Sequence, residues 1–217
     1  MEMTMAGVRL SVVAIALVFA AGLHGAGAAE PVAIVETLAA EGTGLQFMDY
    51  VEEGQVIELG SAGTITLGYL ASCRQEQIRG GRVVVGRDQS TVENGEVRRE
   101  RVGCDGGAIK LSASEADNSG VMIFRKPPKR RLILYGASPV VVLSGAGDSV
   151  TIERLDQPGA NLTLTIEGRF VDLAEIGARL APGGIYRATA GDAALEFQID
   201  SLAEPGAGPV VGRLLRL

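Results

Sequence analysis

Residues 50–104 read YVEEGQVIELGSAGTITLGYLASCRQEQIRGGRVVVGRDQSTVENGEVRRERVGC, a series of short β-branched runs divided by glycines. The run at 64–70 alternates cleanly. Ile65, Leu67 and Tyr69 fall on one face and Thr64, Thr66 and Gly68 on the other, the period of a half-buried strand. A chain cut this finely cannot supply helices of ordinary length, so this stretch folds as antiparallel strands. Gly60-Ser61-Ala62-Gly63, Gly80-Gly81 and Asn94-Gly95 predict hairpin turns, Asn-Gly because both residues tolerate positive φ. Further strands are expected at 31–38, 56–59, 77–78, 82–85, 91–92, 96–97, 108–111 and 121–124, and one polar helical turn at most within 113–118.

The block carries the only two cysteines, Cys73 and Cys104. Their setting depends on the start of the chain, which reads as a secretory leader. Arg9 supplies a positive n-region, residues 10–21 (LSVVAIALVFAA) form an apolar run too short to span a bilayer, and Ala26-Gly27-Ala28 fits the cleavage motif. Residues 1–28 are therefore expected to be removed, at Ala28 or Ala29, leaving no membrane span in a periplasmic protein. In that oxidising compartment an even cysteine count predicts a disulfide between Cys73 and Cys104. A redox-active pair is the competing reading, but the spacing is far from C-x-x-C.

The histidine count excludes most of the familiar chemistry. The single imidazole is His24, inside the leader, so the mature chain is expected to have none. Ser-His-Asp and Cys-His activation, His-ligated zinc and His general bases all drop out. Only Lys110, Lys126 and Lys129 are lysines, and none has a serine three positions before it, so S-x-x-K is missing too. No phosphate-binding or EF-hand loop occurs, and no metal, cofactor or catalytic residue is assigned. A net charge of −6 argues against nucleic-acid binding. Paired carboxylates of a glycan hydrolase need no histidine, and they stand as the alternative function.

Arg125-Lys126-Pro127-Pro128-Lys129-Arg130-Arg131 clusters cations around a double proline that forbids helix. It reads as a linker between a domain at 29–124 and a second at 132–217. Arg125, Lys126, Lys129, Arg130 and Arg131 are candidate ligands for an anionic envelope component or an acidic envelope protein. Arg98, Arg99 and Arg101 make a second basic cluster.

The second block is again rich in short strands, expected at 132–135, 139–143, 149–155, 161–166, 185–189 and 194–199, with a turn at Gly191-Asp192 and an apolar run at 209–217. Residues 171–180 (VDLAEIGARL) predict one short helix, with Leu173, Ile176 and Leu180 at helical spacing before Pro182. Strand spacing suggests a small β-sandwich, immunoglobulin-like in architecture but lacking the Cys-Trp-Cys core. The expected fold is thus mainly β.

The opening VAIVE run, followed by VEEGQVIELGSAGTITLGYL with its glycine turn, apolar strand, small-residue turn and alternating strand, resembles the FecR-like periplasmic domain over about residues 31–111. Regulatory members of that family join this domain through a membrane span to a cytoplasmic anti-sigma segment, and this chain reads as carrying neither. The resemblance implies a periplasmic β module used for binding or assembly, and it brings no catalytic residue. The expected function is an exported envelope binding or scaffolding protein.

Overall fold

A computed structural model describes residues 30–106, 131–144 and 147–217. The leader, the strands expected at 108–111 and 121–124, the polar turn at 113–118 and the cations Arg125, Lys126, Lys129 and Arg130 lie outside the described residues.

The described chain is mainly β. Six strands build the first sheet: β1 (Pro31–Ala39), β2 (Tyr50–Glu52), β3 (Val56–Tyr69), β4 (Arg74–Val84), β5 (Thr91–Glu93) and β6 (Glu96–Arg101). All its pairings are antiparallel, in the order β2-β1-β3-β4, with β5 and β6 both on the free side of β4. The alternation read at 64–70 places Ile65, Leu67 and Tyr69 in the core, each at most 1% exposed.

The three glycine signals expected to reverse the chain do not reverse it. Gly60 and Gly63 lie inside the continuous strand β3, and Gly80-Gly81 lies inside β4. Gly60 pairs with Gly81, and the flanking pairs Arg82–Glu93 and Arg79–Glu96 set Gly80-Gly81 against Asn94-Gly95. The glycines therefore stack across three strands as a seam, at which β3 holds the extra residues of a bulge while β4 keeps constant register with β5 and β6. Positive φ is used here for bulging: Gly60 at 65°, Gly80 at 67°, Gly81 at 79° and Asn94 at 54°. The backbone kinks there without turning back, so β3 and β4 continue past the seam and β6 follows β5 along the same edge of β4. The chain reverses instead at residues 85–90. Tyr69 and Ser90 share a hydroxyl hydrogen bond of 2.7 Å, Ser90 N donates to Glu76 Oε2 at 2.9 Å, and Arg99 Nε reaches Glu76 Oε1 at 2.6 Å.

Cys73, at φ 51°, and Cys104 lie at disulfide distance with Cα atoms 5.5 Å apart, as expected. The link ties the start of β4 to the segment after β6, where Val102 N also donates to Cys73 O at 2.9 Å.

The second block contains two mixed sheets. β7 (Leu132–Gly136), β9 (Ser149–Arg154), β10 (Leu162–Thr165), β12 (Ile185–Ala190) and β13 (Ala193–Glu204) form one, in the order β10-β9-β12-β13-β7. β8 (Val140–Val142), β11 (Phe170–Asp172) and β14 (Leu214–Arg216) form the other, in the order β11-β8-β14. The pairs β13–β7 and β14–β8 are parallel. Gly191-Asp192 makes the two-residue hairpin expected between β12 and β13, with Gly191 at φ 54°.

The helix expected at 171–180 is absent. Val171 and Asp172 end β11, and residues 173–177 form turns. Asp172 Oδ1 accepts from Ala174 N at 2.8 Å, diverting the backbone into a turn, and Gly177 at φ 68° stops any helical propagation. Leu173 and Leu180 are buried while Ile176 is 55% exposed, so the helical spacing of these apolar residues arises from a folded loop.

β1 joins the blocks. Ala33 and Val35 enter the core of the first sheet, and Ile34, on the opposite face, packs with Leu132, Val140, Phe197 and Leu214 of the second block. Met48 and Leu70 do the same. The two expected domains thus share one apolar cluster. Among the described residues no helix is long and apolar enough to cross a membrane.

Candidate functional site

The junction of the two blocks holds a cleft of about 200 Å³ lined by Met48, Tyr50, Val142, Leu143, Ser144, Arg169, Phe170 and Arg216. Strand register explains its floor. β8 lies between β11 and β14, and Val142 pairs with Phe170 on one side and Arg216 on the other, so the three side chains form one row. Tyr50 arrives from the other block, fixed by its pairing with Ile34. The Arg216 guanidinium lies over the Tyr50 ring, 4.6 Å from its centroid. Phe170 meets Phe47 edge-on at 5.4 Å, which braces the apolar wall.

The loop before β2 sets the second cation. Asp49 Oδ2 accepts from Gln46 N at 2.8 Å and Asp49 Oδ1 accepts from Arg169 Nη2 at 2.8 Å. One carboxylate therefore shapes the loop and holds Arg169 at the rim. Met48 sits at φ 69°, a strained value for a residue with a side chain, secured by Met48 N donating to Val35 O at 2.9 Å. Arg216 forms no ion pair among the described residues. The Tyr50 hydroxyl is buried without a hydrogen-bond partner there, and burial raises its pKa while the nearby Arg216 and Arg169 oppose the rise.

Two larger depressions, each of about 460 Å³, are shallower in chemistry. One crosses the glycine seam side of the first sheet with Glu96, Arg79 and Arg98; the other lies beside Tyr135, Leu202 and Pro205. None of these three clefts is lined by two carboxylates. Among the described residues no group of three His, Cys, Asp or Glu side chains is placed to hold a metal.

Of the basic residues singled out by sequence, the structure describes Arg131 and the β6 cluster Arg98, Arg99 and Arg101. Of the linker cations only Arg131 is described; it is half exposed, 4.0 Å from Glu196, which also binds Arg187 at 2.7 Å. Arg99 turns inward to the fully buried Glu76, whereas Arg98 on the opposite face of β6 is 76% exposed. Sequence reading overlooked Tyr50, Arg169 and Arg216 as a group. One signal was present: Arg213 and Arg216 interrupt an otherwise apolar terminal run, and arginines set among core residues need partners.

Glu36 is a buried carboxyl at the same junction. Oε1 accepts from Val211 N at 2.9 Å and Oε2 from Gln75 Nε2 at 2.5 Å. Gly68 pairs with Ile34 and leaves the space, since a Cβ there would overlap Glu36 Oε1. Burial raises the Glu36 pKa above its ordinary 4.5, opposed by the Val211, Gln75 and Val210 hydrogen bonds and by the Arg213 charge. The folded state then holds this proton more tightly than the unfolded chain, so the stabilising contribution is complete below the ordinary carboxylate range and is lost as pH rises through the raised value. Glu36→Gln mimics the protonated form. Denaturant midpoints of the two proteins are expected to coincide at low pH and to separate above about pH 4.5, with the variant the more stable. Parallel curves at every pH would refute this.

Comparison with models of known protein families, with curated proteins and with solved structures finds no match to this chain.

Proposed function

We propose that this chain is an exported, non-catalytic binding or scaffolding module of the cell envelope, with the character of FecR-like periplasmic domains. The observation that carries the reading is the cleft at the junction, where an unpaired arginine, a second arginine and apolar side chains meet with no carboxylate in the lining. Ligand sites of this kind combine apolar walls with a few fixed polar groups. The buried ionisable side chains elsewhere support it: Glu76, Asp172 and Arg213 are each satisfied by hydrogen-bonded partners in the fold. Export is supported by the leader-like residues 1–28 and by the cysteine pair at disulfide distance.

Cell fractionation with intact-mass measurement tests the reading. The expected product is a periplasmic chain lacking residues 1–28, with both sulfurs bonded and no release of reducing ends from envelope glycans. A cytosolic chain with its leader and two alkylatable thiols would overturn export. Glycan turnover abolished by a single carboxylate substitution would overturn the non-catalytic assignment in favour of hydrolysis.

A further inference from the structure

The junction cleft has a chemistry narrow enough to name its ligand. Arg216 is the one cleft-lining charge with no carboxylate partner among the described residues, and the Tyr50 ring beneath it holds the guanidinium plane in place. A guanidinium fixed this way offers parallel N–H donors that match a carboxylate in two-point geometry. Arg169 adds a second positive charge at the rim, positioned by Asp49 at 2.8 Å. Below the cations the lining turns apolar, through Val142, Leu143, Phe170 and Met48. A cavity of roughly 150 Å³ with such walls accommodates benzene. The cleft, at about 200 Å³, has room for one ring-sized group and a small headgroup.

We propose that the cleft binds a small monocarboxylate bearing one ring-sized apolar group, the carboxylate on Arg216 and the apolar group against Val142, Leu143 and Phe170. This inference rests on the binding-module reading above and specifies its ligand class.

Benzoate titrated into the full mature protein, followed by NMR shifts or calorimetry, is the test. Saturable one-to-one binding is expected with a dissociation constant of roughly 1 mM or below, the range open to so small a ligand. Benzyl alcohol, which keeps the ring and loses the charge, and inorganic phosphate, which keeps charge and loses the ring, should each bind at least tenfold more weakly. Arg216→Ala should weaken benzoate at least tenfold, and Arg216→Lys should restore part of the loss. Arg98→Ala, which removes an exposed cation from β6, is the charge control and should have no effect. Thermal melts of every variant separate lost binding from lost fold, and Arg216→Lys carries the test if the alanine variant does not fold.

The ligand class is refuted if benzoate fails to saturate, if benzyl alcohol or phosphate binds as tightly, or if Arg98→Ala weakens binding as much as Arg216→Ala. A failure of that kind leaves export and the absence of turnover to be judged by mass and glycan assays, which do not involve benzoate.

Discussion

Replacing Arg213 by alanine is expected to destabilise the protein by about 3–5 kcal/mol, the range for removing one member of a buried ion pair. Arg213 and Asp172 are each 3% exposed, and they meet through two contacts, Nη1–Oδ1 at 2.5 Å and Nη2–Oδ2 at 2.8 Å. The guanidinium also donates to Gly208 O at 2.8 Å and to Ser138 O at 2.9 Å. Its loss leaves Asp172 charged in the interior and strips two carbonyls of their donor. Asp172 is moreover the residue that turns the chain at Ala174, so an unpaired carboxylate there disturbs the loop carrying Leu173 and Leu180. Urea unfolding at neutral pH measures the effect, which corresponds to roughly 6–20 °C in melting temperature for a chain of this size. The double variant Arg213→Met, Asp172→Leu should recover much of the loss, because no charge remains buried. A single-variant loss below about 1 kcal/mol would mean that water or a neighbouring group takes over the carboxylate.

The glycine seam gives the second large effect. Gly81→Ala is expected to cost roughly 2–4 kcal/mol, since the new residue would hold a left-handed backbone and its Cβ would overlap the Glu93 carbonyl. Gly60→Ala provides the internal comparison. It has a similar φ, 65°, but nothing within 4 Å of the added Cβ. That change should cost only the left-handed term, about 1–2 kcal/mol. Equal losses at the two positions would show that β5 moves aside freely and that the seam is loosely packed.

The seam also marks where sequence and structure part. Strand positions were legible because Ile65, Leu67 and Tyr69 alternate with Thr64, Thr66 and Gly68, and that period decides which face is buried. Whether a glycine pair turns a strand or bulges it depends on what lies opposite, and Gly60, Gly81 and Gly95 meet only across strands. The absent helix has the same origin: the spacing of Leu173, Ile176 and Leu180 is local, but Asp172 is committed to an arginine 41 positions further on. The cysteine pair was readable from compartment and parity. The candidate cleft was not, since Tyr50, Arg169 and Arg216 are brought together by β1, β8 and β14 with no spacing motif among them.

Glu36, on a strand made early, accepts a hydrogen bond from Val211 across 175 positions of sequence. β1 is therefore an incomplete wall until residues 210–215 arrive, with Ile34 lacking its cover from Leu214 and Glu36 left with Gln75 as its donor and without Val211. Contacts of such long range slow folding, because the loop between them must be ordered before they contribute. In a chain emerging amino end first, the core on one face of β1 can close within residues 32–97, whereas its other face is completed only when residues 210–215 arrive.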